Sequence, residues 1–235
     1  MNRLLKDRLW TAGEILLLAL VPGVLLAAAV LGWEHSALLT LLTVTAAVIP
    51  FFRRFEKQKP RPRDIMPVVV LAAVAAAGRV LFAPVPQVKP VSAIVIIAGI
   101  CLGKESGFMT GALAALASNM FFGQGPWTPW QMYAWGLIGF LAGVLERCEG
   151  FRRPVVVYVY GFFSALLYGV LLDSWYVVGF VTPLTLAGAL AGYAAGLPFS
   201  LIHGAATVAF LLPLYRPWRR KIGRIQQKYG LAGNA

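Results

Sequence analysis

Apolar residues run through this chain in long blocks, with neither the strict alternation of a strand nor the polar face of a surface helix. The blocks span residues 13–32, 36–52, 65–82, 91–103, 106–122, 132–145, 154–172 and 183–213, and short connections rich in Pro, Gly or basic residues separate them. In a bilayer only helices and closed barrels satisfy every backbone hydrogen bond, and blocks this long without alternation exclude the barrel. The pattern predicts an all-α integral membrane protein with about eight transmembrane helices. The fourth block falls short of the ~20 residues a crossing normally needs, so neighbouring helices must shield it or the bilayer must thin.

Composition strengthens this reading. Of 235 residues 59% are hydrophobic and 13% charged, with a mean hydropathy of +0.74, more apolar surface than a soluble core of this size hides. The net charge of +12 raises nucleic acid as a partner, but the basic residues sit between the helices and form no stripe with interleaved aromatics. They act instead as a topology signal. Arg3, Lys6 and Arg8 precede the first helix, and Arg53, Arg54, Lys57, Lys59, Arg61 and Arg63 fill the second connection. Arg147, Arg152 and Arg153 fill the sixth connection, and Arg216 to Lys228 form a basic tail. The positive-inside rule places all four segments, and both termini, in the cytoplasm. The turns Trp33 to Ser36, Ala83 to Pro90, Phe122 to Gln131 and Asp173 to Thr182 then face outward.

The same parity makes the stretch from Tyr176 to Tyr215 cross once. Its excess length, with Gly188, Gly192, Gly196 and Pro198 inside it, predicts either a kinked helix or an outer interfacial segment leading into a crossing from about Leu197 to Pro213. The first block is too long for the ~7–15-residue core of a signal peptide and is kept as a helix. The chain thus divides into an N-terminal hairpin (1–52), a basic linker (53–64), a six-helix domain (65–215) and a basic tail (216–235).

Catalytic signals are weak, and no enzyme is expected. His35 and His203 lie far apart on different helices and match no spaced metal set, so neither metal nor cofactor is expected. Cys101 and Cys148 both fall near the cytoplasmic face and read as reduced thiols. Gly103-Lys104-Glu105-Ser106 resembles the end of a phosphate loop, but Ala98 replaces the first glycine and Glu105 the magnesium-binding hydroxyl. ATP hydrolysis by that route is excluded, and any energy must come from a gradient or a partner.

The remaining chemistry lies in the outer half. Arg79 is near the outer end of the third helix, Lys89 and Gln87 in the turn after it, Asn119 near the outer end of the fifth, and Asp173 at the outer end of the seventh. A charge at membrane depth costs about 2.5–3.5 kcal/mol, so a buried one has a partner or a function, whereas snorkelling or turn capping needs no ligand. Between Asn119 and Met132 the chain reads NMFFGQGPWTPWQM, where Gln124, Trp127, Trp130 and Gln131 offer amides and aromatic faces to a ligand. The tryptophans also suit an interfacial belt. On the third helix Ala72 and Ala76, and Ala73 and Ala77, recur four apart, which permits close approach of a helix from within the bundle or from a separate subunit.

From Arg63 to Tyr229 the chain resembles the substrate-binding S components of energy-coupling factor (ECF) transporters, vitamin-uptake relatives of ABC importers. The resemblance rests on Ala77-Gly78-Arg79, on PVPQVKP from Pro84 to Pro90, on the run from Ile96 to Met132 with its GQGPWTPWQ turn, and on GLPFSLIHGAATVAFLLPL from Gly196 to Leu214. The additional hairpin of residues 1–52 departs from the usual six-helix form. The resemblance implies capture of a vitamin or precursor outside the cell and delivery by toppling in the membrane. It also implies an energy-coupling membrane subunit and two cytoplasmic ATPases as partners. It assigns Ala72, Ala73, Ala76 and Ala77 to docking on that subunit, and Pro84 through Pro90 to closure over the ligand. The platform of tryptophans and amides suggests a cobalamin-type corrinoid, with riboflavin or another aromatic vitamin as the alternative. A gradient-driven secondary transporter remains open, with His203 as its midplane group.

Overall fold

The computed structural model describes residues 36–57, 61–183 and 185–231, with scattered positions between 13 and 24. Among the described residues it is entirely helical. The order is α1 (Ser36–Lys57), α2 (Pro62–Leu81), α3 (Val91–Leu102), α4 (Lys104–Phe122), α5 (Trp127–Leu145), a 3-10 turn (Glu149–Arg152), α6 (Pro154–Phe180) and α7 (Leu186–Tyr229). Most of the predicted first helix, with Arg3, Lys6, Arg8, Trp33 and His35, lies outside the described residues.

Proline and glycine punctuate these helices as their backbone constraints dictate. Pro62 opens α2, where the Asp64 carboxylate accepts hydrogen bonds from the Arg61 backbone N–H (3.2 Å) and Nε (2.8 Å). Pro90 and Pro126 immediately precede α3 and α5, and Pro154 is the first residue of α6. Gly103 alone separates α3 from α4; its φ of 98° is one that an L side chain rarely adopts.

At the centre lies α3. Every residue from Val91 to Ile100 is buried, and the helix touches α2, α4, α5, α6 and α7. Its 12 residues span about 18 Å, well short of a bilayer core. A helix apolar on all sides belongs inside protein, which explains how a block too short to cross is accommodated.

Two glycine seams bring the other helices together. In the antiparallel pair α4 and α5, Gly107 and Gly139 pack backbone to backbone, and Gly111 lies on the Trp135 carbonyl, so a Cβ at any of the three would overlap main chain. In the antiparallel pair α6 and α7, one partner is glycine at each successive contact: Gly169 against Ser200, Asp173 against Gly196, Val177 against Gly192, and Val181 against Gly188. The glycines at 188, 192 and 196 therefore form the packing face of one continuous 44-residue helix, with Pro198, Pro213 and Pro217 inside it, and not a separate interfacial segment. Outside the six helices α2–α7, α1 rests on α4, α5 and α6, with Phe51 stacked on Phe108 (centroids 4.0 Å apart) and edge-on to Phe140.

Among the described residues three helices, α2, α6 and α7, are long and apolar enough to cross a membrane, and only 28%, 28% and 33% of their apolar windows is buried. Their outer surfaces expose Met66, Val70, Val159, Phe163, Leu201 and Leu212 among others. The basic connections gather at one end of the bundle. There Arg61 donates to the Gly230 carbonyl (3.1 Å), Arg219 pairs with Glu146 (2.5 Å), and Gln226 donates to the Cys101 carbonyl (2.8 Å). The loop from 82 to 90, the turn from 123 to 126 and the connection from α6 to α7 lie at the opposite end.

Candidate ligand-binding site

Because α3 is short, the space beyond its first turn is not filled by a helix. A cavity of about 340 Å³ occupies it, lined by Arg79 of α2, Gln87 and Lys89 of the following loop, Gln131 and Trp135 of α5, Tyr168, Leu172 and Asp173 of α6, and Phe199, Ser200 and His203 of α7. The floor is a buried polar chain at the start of α3. There Trp135 Nε1 donates to Ser92 Oγ (3.1 Å), and Ser92 Oγ lies 3.0 Å from His203 Nε2. Tyr168 stacks on Trp135 (centroids 4.7 Å, 27°) and meets the edge of His203 at 5.1 Å, making one aromatic wall.

Arg79 is held rigidly on the opposite side. One guanidinium nitrogen donates to Ser118 Oγ (2.6 Å) and Asn119 Oδ1 (2.7 Å), while the guanidinium carbon lies 4.7 Å from the Phe122 ring centre and 5.1 Å from that of Trp135. Fully buried Asn119 also donates to Thr128 Oγ1 (3.0 Å) and Gln131 Oε1 (2.8 Å), linking α2, α4 and α5 beneath the cavity. Among the described residues no carboxylate pairs with Arg79, and the Asp173 carboxylate has neither hydrogen-bond nor ion-pair partner. That carboxylate lies flat on α7 at Gly196, where a Cβ would overlap it, so the glycine makes its position possible.

The loop over the cavity is built differently. The Lys89 ammonium donates to the carbonyls of Phe82, Ala83 (3.3 Å) and Val85 (2.8 Å), so it braces the loop from within. Desolvation, and then the Arg79 charge, hold its pKa below the ordinary lysine value. Gln87 takes a left-handed backbone with φ 60°, a strained conformation for this residue type, on the cavity rim. Gly78 leaves room for the Pro90 ring, which lets the loop fold back against α2.

Of the nine residues singled out as ligand contacts, the cavity brings together Arg79, Gln87, Lys89, Gln131 and Asp173, with Asn119 one layer behind. Gln124, Trp127 and Trp130 do not line it. Gln124 receives a hydrogen bond from Thr128 and donates to the Leu116 carbonyl, Trp127 packs edge-on against Trp175 (6.1 Å), and Trp130 is fully buried. His203, read from the sequence as a midplane group, forms part of the wall. Trp135, Tyr168, Phe199 and Ser200 were not legible as site residues. The available signal was spacing: Gln131 and Trp135 on α5, Gly169 and Asp173 on α6, and Gly196 and Ser200 on α7 each lie four apart, on one helical face.

The alanine set of α2 divides. Ala72 and Ala76 are buried in the bundle (4% and 6% exposed), whereas Ala73 and Ala77 lie on the outer surface beside Val69, Val70 and Val74.

The chain matches the model of a family of unknown function (DUF6580) over residues 58–218 and belongs to that family. The matched span includes every cavity-lining residue. No curated protein and no solved structure matches the chain.

Proposed function

We propose that this protein is the substrate-capture subunit of an ECF-type importer. It binds a vitamin or vitamin precursor at the outer face of the cytoplasmic membrane and delivers it to a coupling membrane subunit driven by two separate ATPases. The observation that carries the reading is the 340 Å³ cavity, walled by aromatic and charged side chains and positioned at the end of the bundle opposite the basic segments. Small-molecule sites are concave and largely apolar, with a few fixed polar groups, and occupy about 300–1,000 Å³.

Three features support the assignment. The helices α2–α7 equal in number the six of the S-component form, with α1 packed outside them. The loop between α2 and α3 covers the cavity, where the resemblance assigns closure over the ligand. The outward Ala73 and Ala77 leave a smooth face on α2 for a coupling subunit. In this reading eight helices enter the bilayer, the basic end is cytoplasmic and both termini are inside. The cavity size favours a compact vitamin over a corrinoid, which would fill it several times over and would have to displace the loop.

The unpaired Asp173 also favours a second reading, an ion-coupled carrier, because such proteins use ionisable groups at membrane depth. Calorimetric titration of the detergent-purified chain against a vitamin panel distinguishes the two. The capture subunit binds one vitamin tightly with no dependence on sodium or on a proton gradient, and cells import that vitamin only when the coupling complex is present. Binding that needs a coupling ion, or uptake by this chain alone, would reject the proposal.

A further inference from the structure

The cavity holds two opposite charges that do not neutralise each other. Arg79 is oriented by two neutral oxygens and two aromatic rings, and it has no carboxylate partner among the described residues. Asp173 has no partner of any kind there, although both residues line the same space. Two opposite charges that share one partly enclosed cavity attract each other, and they would pair directly if the walls allowed it. The helices hold them apart. Arg79 is fixed from α2 through Ser118 and Asn119, and Asp173 is seated on α7 at Gly196. Trp135 lies beside Arg79 and is stacked on Tyr168, which α6 carries together with Asp173. A ligand that bridges the two charges neutralises both at once, and one bearing a single charge leaves the other exposed.

From this geometry we infer that the cavity takes a compact zwitterion, with an anionic oxygen group against Arg79 and a protonated nitrogen against Asp173. The inference rests on the reading of this cavity as the ligand site and specifies its chemistry. Lys89 does not compete for the anionic group, because its ammonium is engaged by the loop carbonyls.

The test uses three probes of one ring size: 4-(aminomethyl)benzoate, which carries both charges, benzoate and benzylamine. With the full chain purified in detergent, the zwitterion binds about tenfold or more tightly than either singly charged probe. Asp173→Asn removes most of its advantage over benzoate, and Arg79→Gln most of its advantage over benzylamine. Equal affinity for all three probes, no binding of any, or an Asp173→Asn variant that keeps the full preference overturns the inference. The two proposals fail separately. A vitamin that binds and is imported with no contribution from Asp173 leaves the capture subunit standing and removes the zwitterion. The probe pattern without coupling-dependent import does the reverse.

Discussion

Asn119 ties three polar side chains together behind the cavity, since its one side chain satisfies Arg79, Thr128 and Gln131 at full burial. Replacing it with Leu strands those partners, and an unsatisfied buried polar group costs about 1–3 kcal/mol. Asn119→Leu is therefore expected to lower stability by that amount in detergent unfolding and to weaken ligand binding through a displaced Arg79. Unchanged stability and affinity would show that the network is dispensable. Trp130 behaves differently from a binding residue. Fully buried and outside the cavity lining, it should lose about 3–5 kcal/mol of stability as Trp130→Ala, with reduced affinity appearing only as a consequence of unfolding. Gln87 tests strain: Gln87→Gly relieves a left-handed backbone, stabilising the loop by up to about 1 kcal/mol, while it removes an amide from the rim. A variant both less stable and equally good at binding would contradict that role.

Among the elements, the α6–α7 hairpin depends on a glycine at every fourth position of one helix face. A larger side chain at Gly192 meets Val177, and overpacking of this kind costs about 1–3 kcal/mol, so Gly192→Leu should separate the helices and widen the cavity. Gly223 on the same helix has open space around it, and Gly223→Ala should be neutral or stabilising by about 0.5–1 kcal/mol. The contrast isolates packing from helix propensity, and equal effects at the two sites would refute the seam. Helix α2 gives a second contrast. Ala72→Leu and Ala76→Leu should destabilise the isolated chain, whereas Ala73→Trp and Ala77→Trp should leave its stability and binding intact but impair uptake in cells containing the coupling complex. Full uptake with both tryptophans present would place docking on another surface.

For the molecule as a whole, the separation of a basic end from a cavity end predicts orientation. Cys148 is exposed at the basic end, so in a Cys101→Ser background it should react with an impermeant maleimide only after the cells are opened. A single cysteine introduced at Gln124, exposed at the cavity end, should react in intact cells. Labelling of Cys148 in sealed cells would invert the topology and remove the cavity from the outside.

Hydrophobic block length and basic spacing by themselves determined that the described residues are all helical and which connections share an end, because apolar burial and charge act on each segment locally; the turn expected from Asp173 to Thr182 is instead helical as far as Phe180, and the basic tail continues the last helix to Tyr229. Arg79 and Asp173 stood out in the sequence because charges at the ends of apolar blocks are conspicuous one at a time, and Gln87 and Gln131 because they sit in the outer turns. Only the tertiary structure decided that the short α3 is enclosed by its neighbours at the centre of the bundle, that Gly188, Gly192 and Gly196 pack on α6, and that Trp127 and Trp130 turn away from the cavity while Trp135, Tyr168 and His203 enclose it. Those outcomes depend on the rotation and depth of each helix against its neighbours. In an apolar helix with little amphipathic asymmetry, close contacts between backbones set the rotation, and nothing in a single segment records it.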